Sequence, residues 1–203
     1  MLRLCVFVIG SLPAAYIGLQ VYMLQVGKLH RLGPDPAKEL VLTLGEWAMH
    51  FLILTLLITP MRKITGWVQF SKFRRMLGLF VFFYASLHLL AYNLLLLELK
   101  FSALAKEVIE RPYITVGFFA WLLLLPLAAT STPKMVRTLG NSWRKLHRLV
   151  YGVAILAIFH VFWLAKSSYL DALIYGMLLL LLLAYRLLVW KNKLFLQAPK
   201  DSA

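Results

Sequence analysis

The chain has 203 residues, 62% of them hydrophobic and 15% charged, with a formal net charge of +14. A soluble domain is about a quarter charged and about half apolar; here the apolar residues arrive in long unbroken runs, so they face lipid instead of filling one globular core. The basic residues sit between those runs, where the positive-inside rule places them, and this pattern excludes a nucleic-acid-binding surface. Cys5 is the single cysteine, so there is no internal disulfide and no paired-cysteine motif for zinc or for covalent haem attachment.

The N-terminus imitates a signal peptide, with Arg3 and the small-residue stretch Leu12-Pro13-Ala14-Ala15. Its apolar run continues to about Val26, longer than a signal-peptide core, and is read as a retained helix. A helix needs about 20 apolar residues to cross the hydrocarbon layer, and six stretches qualify: 4–26, 40–60, 76–97, 113–131, 149–165 and 172–190. The expected fold is therefore an all-α integral membrane protein, one transmembrane domain over 1–203 built as a six-helix bundle. Only the second and sixth spans hold a charge, Glu46 and Arg186, and Arg186 is close enough to its helix end to snorkel to the interface. The fifth span is the shortest and has room to extend back into 143–148. No repeat of 20–50 residues is present.

The connections set the orientation. After the second span come Arg62, Lys63, Lys72, Arg74 and Arg75, and after the fourth come Lys134, Arg137, Arg144, Lys145 and Arg148, with no acid in either. The connection after the third span balances Lys100, Lys106 and Arg111 against Glu98, Glu107 and Glu110, and the one after the fifth has Lys166 and Asp171. The first loop mixes Lys28, Arg31 and Lys38 with Asp35 and Glu39. All-basic connections alternate with balanced ones, which predicts both termini on the cytoplasmic side.

Histidine depth then singles out candidates. His88 lies 13 residues beyond Arg75, about 20 Å into the membrane at 1.5 Å per residue. His160 lies 12 residues beyond Arg148, about 18 Å in. Two helices entering from the same side thus bring imidazoles to one level. An ionisable group in lipid is expensive and usually faces the bundle interior for a reason. Three roles stay open on position alone: a metal or proton site, structural hydrogen bonding, or axial ligation of haem. A bare metal wants three or four ligands, whereas haem needs only the axial pair. His50 is a third candidate in the same layer, about 18 Å from the cytoplasmic edge. His147 lies at the cytoplasmic mouth of the fifth span, about 140° around the helix from His160, and is open to a second haem, a flavin or propionate contact, or an interfacial place. His30 is read as solvated.

Several motifs carry a resemblance. Leu57-Ile58-Thr59-Pro60, Arg75-Met76-Leu77-Gly78-Leu79, Leu87-His88-Leu89, Arg111-Pro112-Tyr113-Ile114-Thr115-Val116-Gly117, and Thr130-Ser131-Thr132 through Leu146-His147-Arg148-Leu149-Val150-Tyr151 to His160 resemble the MsrQ (YedZ) family of the ferric reductase-like transmembrane superfamily, over about 33–190. The resemblance implies a haem b subunit of the bacterial inner membrane with FMN as a further cofactor. It implies that electrons come from the quinone pool or a cytoplasmic flavin reductase and go to MsrP, a periplasmic molybdopterin enzyme that repairs methionine sulfoxide in oxidised proteins. It carries the haem-ligand role onto His88, His147 and His160, and assigns none to His50. The catalytic subunit is then a separate protein, and this chain is an electron-transfer partner in contact with lipid.

Two departures stand out. In related oxidases the paired histidines on one helix are about 14 residues apart, returning them to nearly one face; here His147 and His160 are 13 apart and Arg74 stands where a second histidine of the third span would be. No GxGxxG fingerprint exists, so any nicotinamide chemistry belongs to another protein. The rival reading is a proton-coupled transporter or assembly scaffold that uses the buried histidines without haem.

Overall fold

The computed structural model describes residues 2–164 and 169–197. All elements among the described residues are helical: α1 (Leu2–Gln25), α2 (Pro36–Thr65), α3 (Arg74–Ala91), α4 (Phe101–Glu110), α5 (Pro112–Ala129), α6 (Pro133–Leu146), α7 (Leu149–Leu164) and α8 (Tyr169–Gln197). A 3₁₀ turn, Val68–Lys72, leads into α3, and a π turn, Tyr92–Leu96, follows it. The end of the fifth span at Ala165, the loop residue Lys166 and the C-terminus lie outside the described residues.

Local chemistry sets the helix ends. Asp35 caps α2 by accepting from the Lys38 N–H, and Pro36 occupies the first turn, where its missing N–H costs nothing. Gly66 ends the same helix in the left-handed conformation, φ 73°, and its N–H caps the Arg62 carbonyl. Pro112 and Pro133 open α5 and α6 in the same way, and Thr132 caps α6 through the Met135 N–H.

Five stretches are long and apolar enough to span a bilayer: α1, α2, residues 68–96 through α3, α5 and α8. At 16 residues, α7 reaches only about 24 Å, short of a core roughly 30 Å thick. It qualifies as a sixth span only together with α6, from which it bends by 47°. The segment expected to prolong the fifth span thus does so as a broken pair, with Gly140 (φ 48°, ψ −114°) breaking α6 itself.

The spans form a ring. α2 packs along α3, α3 against α5, α5 along α7, α7 against α8, and α8 returns to α2, while α1 leans on α3 from outside. Lipid supplies no hydrophobic drive between helices, so close packing does the work. Ala154 and Ala172, both buried, are small enough to let backbones approach. On the α1 side, the Tyr84 hydroxyl enters the ladder of α1: it accepts from the Ala14 N–H at 3.1 Å and donates to the Gly10 carbonyl at 2.7 Å. Pro13 already weakens that turn. A Cβ on Gly10 would collide with the Phe80 ring, so the glycine is what lets α3 approach.

Arg186 corrects one expectation. It does not reach outward: Nη1 donates to the Tyr151 hydroxyl, and Nη2 to the Leu56 carbonyl and to Thr59 Oγ1. The reason lies on α2. Pro60 lacks the N–H that would engage the carbonyl four residues earlier, that of Leu56, and the guanidinium supplies the missing donor.

Candidate functional site

His88 on α3 and His160 on α7 face each other across the ring, with ring centroids 6.2 Å apart and planes at 85°. Each is fixed by its neighbour helix. His88 Nδ1 lies 2.8 Å from the Val41 carbonyl of α2, and His160 Nδ1 lies 2.6 Å from the Tyr113 carbonyl of α5. A carbonyl only accepts, so each Nδ1 carries the proton and each Nε2 keeps its lone pair. This is the usual way an outer partner fixes the tautomer of a metal-binding histidine.

A glycine stands four residues after each acceptor. In a helix the Cβ leans toward the N-terminus, over the preceding turn, so a glycine there uncovers the carbonyl four residues before it. A Cβ on Gly117 would sit 2.7 Å from His160 Cε1 and Nδ1, and one on Gly45 would sit 3.1 Å from His88 Nδ1. The two cradles match: each acceptor precedes its histidine by 47 residues. The whole device recurs at an offset of 72 (41 to 113, 45 to 117, 88 to 160), with Thr43 and Thr115 also in register. The helix pair α2–α3 and the pair α5–α7 are thus two copies of one histidine holder.

Among the described residues no group of three or more His, Cys, Asp or Glu side chains could hold a bare metal ion. Two axial imidazoles suit a different group. With a metal–nitrogen bond of about 2 Å on each side, two rings ligating one ion stand about 6 Å apart between centroids. The spacing, the lone pairs and the glycine cradles fit haem, whose porphyrin supplies the four equatorial donors.

The other histidines lie elsewhere. His50 Nε2 is 3.0 Å from the Tyr175 hydroxyl of α8, and its ring meets Trp47 edge-on. His147 Nε2 is 3.0 Å from Thr130 Oγ1, and its ring stacks on Trp143 at 3.9 Å. The Thr130 hydroxyl hydrogen is spent on the Pro126 carbonyl at 2.6 Å, so His147 Nε2 donates and only its Nδ1 keeps a lone pair. Trp143 Nε1 also donates to the Thr130 carbonyl, so the Trp143–His147 pair clasps the end of α5. His30 Nδ1 accepts from the Leu32 N–H in the first loop.

Sequence reasoning missed the glycines and the carbonyl acceptors. The available signal was the offset of 72, longer than the repeat lengths usually sought. Tyr175 as the partner of His50 had no signal at all.

Residues 44–158 match the family described as ferric reductase like transmembrane component. The chain is 46% identical over 180 residues to a protein of Xanthomonas euvesicatoria pv. vesicatoria named protein-methionine-sulfoxide reductase heme-binding subunit MsrQ, covering 89% of this chain and 82% of that one. A protein of the same name from Azospira oryzae is 46% identical over 157 residues, 76% of this chain and 67% of the relative. With its family match over more than half its length and these identities over most of it, the chain belongs to the ferric reductase-like transmembrane family, in its MsrQ branch.

Proposed function

We propose that this chain is the haem b electron-transfer subunit of a methionine sulfoxide reductase system in a bacterial inner membrane. The observation that carries this reading is the His88–His160 pair, with both Nδ1 protons spent on backbone carbonyls. A bound haem supplies a one-electron carrier whose potential follows its axial ligands and surroundings. The chain's own part is mechanical and electrostatic. The Val41 and Tyr113 carbonyls hold the two imidazoles in one tautomer, Gly45 and Gly117 let them lie flat against backbone, and the apolar ring of helices keeps water away.

In this reading both termini and the all-basic connections are cytoplasmic, and α4 lies on the periplasmic side. Electrons arrive from quinol or a cytoplasmic flavin reductase and leave to a periplasmic molybdopterin reductase of the MsrP kind, which does the chemistry on methionine sulfoxide. The Arg144-Lys145-Arg148 cluster around His147 supports an FMN phosphate or anionic lipid on the cytoplasmic side. His147 as ligand of a second haem requires its Nε2 to leave Thr130 or its Nδ1 to serve.

The test is a spectrum of the purified chain in detergent. A Soret band that shifts on dithionite is expected, with haem measured per chain by pyridine haemochrome. His88→Ala and His160→Ala each remove most of that band, while His50→Ala leaves it. A colourless wild-type protein, or a band that survives both replacements, overturns the proposal and favours a transporter or scaffold.

A further inference from the structure

Between α1 and α3 a groove of about 650 Å³ opens on the outer flank of the bundle. One face of α1 lines it with Arg3, Phe7, Ser11 and Ala14, and one face of α3 with Arg75, Leu79 and Phe83; each set follows helical spacing. The two helices run parallel: the Phe7 and Phe80 rings meet at 5.9 Å between centroids, and one turn further on the Tyr84 hydroxyl bonds to the Gly10 carbonyl and the Ala14 N–H. Followed back along both helices, that register brings Arg3 level with Arg75. Lys72, from the turn that leads into α3, joins them at the same end.

The groove changes character along its length. Three cations crowd its mouth, and no carboxylate lines it. Among the described residues none of the three forms an ion pair, so each repels the others. Beyond them the walls are apolar, and Phe7, Leu79 and Phe83 are exposed on the flank that faces lipid. The two hydroxyls on the lining add no free donor: Ser11 Oγ donates to the Phe7 carbonyl and Ser131 Oγ to the Leu127 carbonyl. From Arg3 to Ala14 the groove runs about 16 Å, about half of a core roughly 30 Å thick, which is the depth of one leaflet.

These features narrow the occupant. It is negative at one end only, because the free donors all stand at the mouth and all are cationic. It is apolar for the rest of its length, and it enters from the side, through the bilayer. A soluble phosphate fills the mouth and leaves the aromatic and leucine walls unmatched. A zwitterionic lipid brings an ammonium group into a ring of three cations. An anionic lipid suits both ends at once, with a phosphate among the charged donors and an acyl chain along the apolar walls.

We propose that this groove is a binding site for an anionic glycerophospholipid from the leaflet on the basic side of the bundle. The headgroup phosphate accepts from Arg3, Lys72 and Arg75, and one acyl chain follows Phe7, Leu79 and Phe83. The bound lipid fastens α1, the helix that only leans on the ring. Cations from the first turn of α1, from the turn before α3 and from α3 itself are drawn to one phosphate instead of repelling one another. Ser131 and Pro133, where α5 passes into α6, border the same groove, so the lipid also touches the start of the broken span. The site lies apart from the histidine pair, and its occupation does not depend on haem.

The experiment uses the full chain in phosphatidylcholine nanodiscs that contain a phosphatidylglycerol probe with a photoactivated diazirine in one acyl chain. Labelling is expected in peptides carrying residues 7–14 and 76–83, and a phosphatidylcholine probe with the same diazirine labels them about tenfold less. Unlabelled phosphatidylglycerol competes, whereas inorganic phosphate does not. Arg3→Gln combined with Lys72→Gln, both at exposed positions, lowers the labelling about tenfold. Lys63→Gln combined with Arg137→Gln removes the same charge from residues that do not line the groove and leaves the labelling within about twofold. Leu79→Trp fills the groove with every charge in place and also lowers the labelling about tenfold, with helical circular dichroism unchanged. Labelling elsewhere, equal labelling by the two probes, equal loss in the two charge pairs, or full labelling in Leu79→Trp overturns the site. Displacement by inorganic phosphate assigns the mouth to a soluble phosphate and overturns the lipid.

Discussion

Replacing Gly117 by alanine tests the histidine cradle directly. The new Cβ would lie 2.7 Å from His160 Nδ1 and Cε1, where carbon contacts relax to about 3.5 Å or more. The ring must retreat by roughly 0.8 Å, which takes Nδ1 out of good hydrogen-bond range of the Tyr113 carbonyl. Overpacking costs at least about 1 kcal/mol, and a buried donor left without its partner costs at least about 1 kcal/mol more. Together these weaken haem binding about thirtyfold, at 1.4 kcal/mol per factor of ten, within the 10- to 100-fold range of such outer partners. Gly45→Ala is the internal comparison. Its Cβ meets His88 at 3.1 Å, a shift of a few tenths of an ångström absorbs it, and the loss stays within about threefold. Gly152→Ala is the control, since its Cβ meets only Leu123 Cδ1 at 3.6 Å, ordinary contact. The assay is haem titration of the apoprotein followed at the Soret band, with low-spin electron paramagnetic resonance reporting the ligand field. Full affinity and an unchanged resonance in Gly117→Ala would refute the cradle, as would an equal loss in Gly152→Ala.

Two other predictions concern the scaffold. Arg186→Leu strands the Leu56 carbonyl beside Pro60 and removes the donors to Thr59 and Tyr151, so it should destabilise the bundle by about 2–4 kcal/mol. Arg186→Lys should restore part of that, read as thermal loss of helical circular dichroism in detergent; a stable leucine variant would show that the guanidinium contributes nothing. Alkaline phosphatase fused after residue 105 should be active and after residue 70 inactive, because the first point lies in a charge-balanced connection and the second in an all-basic one. The opposite pattern would invert the orientation.

Composition alone determined that the chain lies in a membrane as helices, since runs of about 20 apolar residues have no other stable solution in lipid. Counting residues from Arg75 and Arg148 was enough to bring His88 and His160 to one level, because the rise of a helix is fixed. Their approach to 6.2 Å between ring centroids, the carbonyls that fix their tautomers and the glycines that uncover those carbonyls were decided by which helix faces which. That choice depends on side-chain packing between segments far apart in the chain. The same holds for Arg186, which turned inward to a carbonyl freed by Pro60, and for His50, which found Tyr175 across 125 residues of sequence. Depth is a property of one helix and can be counted; azimuth and partner belong to pairs of helices, and only their packing sets them.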